Sequence, residues 1–180
     1  EQELRRPRYR PATLAIGTNT DPYQPIERRF GVMRRVLRVL SDFRHPVGVV
    51  TKGALVTRDA DILGQMGSDG LAAVGISLTT LDPRLSRAME PRAASPARRL
   101  AAIEALARAG VPVRVLVSPL IPALNDHEIE RLLEAARNAG ATGATYVVLR
   151  LPLEVKDLFR EWLERAFPER AARVMKAVRA

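Results

Sequence analysis

No cysteine occurs among the 180 residues. Disulfides, thiolate metal ligands and cysteine nucleophiles are therefore excluded for this chain. Histidine is nearly as scarce, with only His45 and His127. His45 precedes Pro46 in a helix-to-strand connection, and His127 falls in the first turn of a helix. Both read as surface residues rather than metal ligands. Aromatic residues make up 4% of the chain, and no basic stretch is interleaved with stacking side chains, so single-stranded nucleic acid is a poor partner. No apolar run approaches the roughly 20 residues that span a bilayer. No charged-apolar-small leader opens the chain. The expectation is a cytoplasmic protein with no membrane partner. Neither G-x-G-x-x-G nor G-x-x-x-x-G-K-[ST] occurs, which argues against a Rossmann or NTPase domain.

What the chain does have is positive charge: a net +9, from 29 Lys and Arg against 20 Asp and Glu. Lysine stands only at 52, 156 and 176. An arginine- and alanine-rich bias of this kind follows from a GC-rich coding sequence. Arg28, Arg29, Arg34, Arg35 and Arg38 fall at helical spacing and read as a solvated face. A polyanion or an anionic cofactor is the alternative reading of the charge. The length suits one domain spanning 1–180.

Five short apolar runs each end abruptly in polar residues. Ala12 to Gly17 leads into Thr18-Asn19-Thr20-Asp21, and Val47 to Val50 into Thr51-Lys52. Ala72 to Ile76 leads into Ser77-Leu78-Thr79-Thr80, Val113 to Val117 into Ser118-Pro119, and Tyr146 to Leu149 into Arg150. A helix-like stretch follows each run, as in parallel strands joined by crossover helices. Strands are expected near 12–17, 47–52, 72–78, 113–119 and 144–151. Their continuous apolar character implies burial on both faces.

The first crossover helix is expected over 27–40, with Val32, Val36, Leu37, Val39 and Leu40 as its apolar stripe. A shorter helix follows near 59–66, closed by Gly67 and Gly70. Asp82-Pro83 and Ser95-Pro96 share one start grammar, an N-cap before proline. The second of these helices ends at Gly110 and buries Leu100, Ile103, Leu106 and Ala107. Asn125-Asp126-His127-Glu128 reads as a capping box. The helix that follows points Ile129, Leu132, Leu133 and Ala136 inward. Two amphipathic helices fill 155–180, separated at Pro168. Their Trp162 and Phe167 are expected to cover an edge or the base of the sheet.

In parallel α/β folds, ligands gather at the carboxyl ends of the strands. There Asp21, with Thr18, Asn19 and Thr20, offers acceptors for an amine or for sugar hydroxyls. Lys52 offers a cation for a carboxylate or phosphate, and Arg92 a second one. Ser77 and Thr79 alternate along their strand, so both point to one side, toward ribose-like hydroxyls. Val117 to Pro122 presents apolar surface and free backbone groups for a flat heterocycle, and Leu149 and Leu151 suit its other face. The set describes a zwitterionic, sugar-bearing, purine-like ligand. Tyr23 reads equally as a lid residue or as loop packing.

These segments carry a resemblance. Residues 17–25 (GTNTDPYQP), 50–52 (VTK), 76–82 (ISLTTLD), 89–92 (MEPR) and 119–126 (PLIPALND) resemble, in order and spacing, radical S-adenosylmethionine proteins of the branch related to spore photoproduct lyase. The resemblance covers most of residues 11–167. It implies an α/β fold, a parallel-strand partial TIM barrel cut from a (β/α)6 barrel. It also implies an enzyme in which a [4Fe-4S] cluster and S-adenosylmethionine together generate a 5′-deoxyadenosyl radical. Carried over residue by residue, Thr18 to Asp21 fall where the methionine amine binds, and Lys52 where its carboxylate is held. Ser77 and Thr79 fall by the ribose, and Val117 to Ile121 (Ser118 and Ile121 among them) and Leu149 beside the adenine.

The family's cluster is held by C-x3-C-x2-C after the first strand, and this chain has neither that motif nor the strand before it. The expectation is a fragment, inactive alone, whose metal ligands lie outside these residues. Spore photoproduct lyase acts on DNA, so a nucleic-acid-binding or repair-related module is a second reading of the charge. A lysine-dependent, aldolase-like barrel using Lys52 as a Schiff-base amine is a third.

Overall fold

The computed structural model describes residues 1–179. Five strands form one sheet in the order β1 (Leu14–Ile16), β2 (Val47–Thr51), β3 (Ala72–Ser77), β4 (Val113–Leu120), β5 (Gly143–Val148). Every neighbouring pair is parallel. The sheet order follows the chain order, so the strand–helix unit repeats without reversing. This is the open, partial-barrel arrangement read from the apolar runs.

Connections consist of α1 (Glu27–Phe30) and α2 (Val32–Asp42), a 3-10 turn (Ala54–Asp59) leading into α3 (Ala60–Ser68), then α4 (Pro83–Met89) and α5 (Pro96–Arg108). A 3-10 turn (Asp126–Glu128) leads into α6 (Ile129–Asn138), and α7 (Val155–Ala166) and α8 (Pro168–Arg179) close the chain. Val47, Val49, Val74, Ile76, Val113, Val115 and Val117 bury one face of the sheet against Leu37, Leu63, Ile103, Leu106 and Leu132. Val50, Gly75 and Leu116 meet on the opposite face, where a Cβ on Gly75 would run into the Leu116 side chain. The residues of that second face stay partly exposed.

Several expectations are corrected. Burial on both faces fails at the sheet's edges. Leu14 is exposed on β1, and Tyr146, Val147 and Val148 are exposed on β5. The first crossover helix is broken at Gly31, which adopts a left-handed backbone (φ 58°). Glu27 exploits the break: its carboxylate accepts from the amides of Val32 and Met33, both at 2.9 Å, and so supplies a cap for α2. The buried positions of α2 are Met33, Leu37 and Leu40, and Val32 faces out. Leu133 on α6 is likewise exposed.

The Asn125–Glu128 segment is not a capping box. Asn125 is buried and braces the loop after β4, accepting from the Ile121 amide (2.6 Å) and donating to the Thr79 and Pro119 carbonyls (2.7 and 3.1 Å). Glu128 instead accepts from the Thr80 hydroxyl (2.6 Å) and the Leu81 amide (2.8 Å). His45 is buried, held between the Tyr9 hydroxyl (2.7 Å) and its neighbour's carbonyl, that of Pro46 (3.0 Å). His127 is exposed as expected.

The caps at Asp82 and Ser95 form as read, accepting from the amides of Arg84 (2.7 Å) and Arg98 (3.4 Å). Helices α7 and α8 pack Leu163, Val174 and Met175 against Leu85, Ile121 and Leu124. Trp162 donates to the Ala88 carbonyl (3.1 Å). They therefore cover α4 and the loop after β4, at the carboxyl ends of the strands and not at the base. Among the described residues no helix is long and apolar enough to cross a membrane.

Candidate functional site: the carboxyl ends of β1 to β3

Gly17 begins the site. Its φ of +96° and the Val50 carbonyl that a Cβ would strike both require glycine. The chain then turns so that Asp21 meets the tip of β2. One Asp21 oxygen accepts from the Thr51 hydroxyl (2.6 Å) and the Tyr23 amide (2.8 Å), and the other from the Lys52 amide (2.8 Å). Three of the roughly four acceptor positions of a carboxylate are thus used within the chain. Asp21 ties two strand tips together and keeps limited capacity for a ligand amine.

Tyr23 is buried packing, not a lid. Its hydroxyl donates to Asp59 (3.0 Å). Burial first, then the Asp59 charge, pushes the phenol far above its ordinary pKa. Asp59 is itself fully buried and also receives Arg34 (3.1 Å) and Arg58 (2.8 Å). Arg58 reaches on to Glu27 (2.8 Å). This ionic knot fixes the loop that carries Asp21 against the turn that follows Lys52.

The Lys52 ammonium lies 2.6 Å from Glu90, whose other oxygen lies 2.5 Å from Arg99. Arg99 is 1% exposed, and its Nη1 and Nε donate to the carbonyls of Ser77 (2.9 Å) and Ala94 (2.7 Å). Burial alone would raise the Glu90 pKa, but Arg99 and Lys52 outweigh it and the net shift is downward. One chain of charge therefore links the tip of β2 to the tip of β3.

A cleft of about 540 Å³ opens here, lined by Asp21 and Lys52 and by Arg28, Arg92 and Arg98. Three of the expected residues thus share one cavity wall. Thr18, Asn19 and Thr20 are exposed on the loop beside it. Ser77 and Thr79 are buried at the end of β3, and the Thr79 hydroxyl has no hydrogen-bond partner among the described residues. Ser118 is half-buried near the end of β4, where the register with β5 shifts. Ile121 is fully buried beneath α7 and α8, with Leu149 packed against the same cluster. None of these last five lines the cleft. Sequence reasoning missed Glu90 and Arg99. Arg99 stands out only as a charge on the otherwise apolar face of α5, and nothing local marks Glu90 as its partner.

The residues do not fit an iron–sulfur cluster. There is no cysteine, and among the described residues no three His, Asp or Glu side chains are grouped to hold a metal. A zwitterionic cofactor fits better, because the cleft offers a lysine for a carboxylate and one spare carboxylate position for an amine.

Fold and cleft together define a parallel α/β partial-barrel protein with its site at the strand ends. The Radical SAM superfamily model matches residues 2–136, and the chain belongs to that superfamily. It is similar to an uncharacterized protein of Mycobacterium tuberculosis, 39% identical over 173 residues, covering 95% of this chain and 51% of the relative. A Methanocaldococcus jannaschii protein, also uncharacterized, is 28% identical over 156 residues, covering 87% of this chain and 57% of that one. The chain thus spans about half the length of the curated relatives it matches. A solved spore photoproduct lyase variant, with bound AdoMet and dinucleoside spore photoproduct, shares the fold. Its TM-score is 0.65 at 18% identity, over 88% of this chain and 46% of that one.

Proposed function

We propose that these residues form most of the S-adenosylmethionine cradle of a radical SAM enzyme, with the [4Fe-4S] ligands supplied by sequence outside this chain. The observation that carries the reading is the convergence of Asp21, Lys52 and Arg92 on one strand-end cleft in a chain of this superfamily. The chemistry that the cofactor brings when bound is hydrogen abstraction by its adenosyl fragment after reductive cleavage.

In this reading Lys52 holds the methionine carboxylate through a charge-assisted bond. The loop from Thr18 to Asp21 receives the amine. Ser77, Thr79, Ser118, Ile121 and Leu149 serve the nucleoside end. Because they lie apart from the cleft, they act there by shaping the β3 and β4 tips. The orphaned Thr79 hydroxyl supports a ligand role, since a buried unpaired hydroxyl is costly unless something satisfies it.

The test is to load the full-length protein anaerobically with iron and sulfide, add reductant and S-adenosylmethionine, and assay 5′-deoxyadenosine. Its formation is the expected result. A protein that takes up the cluster and the cofactor yet yields none would overturn the reading. Salt-dependent retention on DNA with no cofactor binding would favour the nucleic-acid module instead.

A further inference from the structure

We infer that Glu90 is a positioning residue that aims Lys52 into the cleft, with Arg99 as its buried anchor. This rests on the cofactor reading given above. Lysine is a compact charge on a flexible four-carbon stem, and holding it in one place costs rotamer entropy. Lys52 keeps 40% of its side chain exposed, Glu90 10% and Arg99 1%. The three therefore run from the cleft wall into the interior.

Arg99 is held in place, because each of its three nitrogens donates to a different partner: the Ala94 carbonyl, the Ser77 carbonyl and Glu90. Glu90 is thereby fixed, and its second oxygen takes one of the three ammonium donors of Lys52 at 2.6 Å. Two donors remain for a ligand carboxylate. The triad keeps a net charge of +1, so anion recognition survives the internal pairing. The same arginine holds the Ser77 carbonyl, so one anchor sets both the lysine and the β3 tip.

The experiment measures affinity of the complete, cluster-loaded protein for two probes: S-adenosylmethionine, and 5′-methylthioadenosine, which lacks the amino-acid end. Glu90→Gln should weaken S-adenosylmethionine by about three- to tenfold and leave 5′-methylthioadenosine unchanged. In a Lys52→Ala background the same substitution should cost nothing further. Glu90→Asp keeps a charge beside Arg99 while withdrawing it from Lys52. It should repeat the selective loss even where Glu90→Gln folds poorly.

Unchanged S-adenosylmethionine affinity would overturn the inference. So would equal losses for both probes, the mark of a merely structural role, or a further loss in the Lys52→Ala background. No binding of either probe by the unsubstituted protein would sink the cofactor reading itself, and this inference with it.

Discussion

At the β1–β3 end of the sheet, the loops are held by carboxylates. At the β4–β5 end, apart from the neutral Asn125 brace, they are held by apolar packing. Asp21, Asp59, Glu27 and Glu90 each gather two or more donors from different elements. Across the molecule Ile121, Leu124 and Leu163 are completely buried among side chains of α7 and α8. Just beyond them, β5 leaves Tyr146, Val147 and Val148 in solvent. Buried ion networks define positions sharply but are unforgiving, since losing one partner strands the others. Apolar contacts tolerate repacking. The polar end is therefore where geometry is set, and it is the end that carries the cleft.

The sharpest way to break this contrast is Asp59→Ala. It removes a fully buried carboxylate, leaves the Tyr23 hydroxyl without its partner, and leaves Arg34 and Arg58 only Asp61 and Glu27. A loss of about 3 kcal/mol is expected in urea unfolding. A loss below about 1 kcal/mol would show that the knot is not structural.

Gly17→Ala comes next. The residue would need a positive φ and would press on the Val50 carbonyl, for about 2 kcal/mol. The melting temperature should fall accordingly, and an unchanged value would contradict the turn described at the end of β1.

The acid limb of stability is a smaller test. The Glu90 carboxyl lies below its ordinary value of 4.5 in the folded protein. Its contribution is full above that value and fades as pH falls through the lower, folded one. Glu90→Gln should therefore flatten part of the stability loss below about pH 4.5. An identical acid profile in wild type and variant would remove Glu90 from the account. Smallest of all, Val147→Thr on exposed β5 should change stability by under about 0.5 kcal/mol. A larger loss would mean that this strand is packed and not open.

Much of the fold was legible because parallel strands buried against helices announce themselves as apolar runs. All five appear within a few residues of their expected bounds. The caps at Asp82 and Ser95 were legible for a similar reason, being local chemistry between neighbours. What could not be read were the long-range partners. Asn125 and Glu128 match a capping box in spacing, yet both side chains turn to the segment following β3, 46 to 48 positions away. Val32 and Leu133 fit apolar stripes, but the break at Gly31 and the helix packing leave them outside. At the site, Asp21 and Lys52 were named from residue type and strand-end position; Arg92, expected just after the fourth strand, lies instead between α4 and α5 and still reaches the cleft. Glu90 and Arg99 were missed because their value lies only in whom they meet.

The most direct measurement is equilibrium binding of S-adenosylmethionine to the complete, cluster-loaded protein, unsubstituted and with Lys52→Ala. The account predicts at least a tenfold weaker affinity in the variant, about 1.4 kcal/mol. Equal affinity in the two proteins would contradict it.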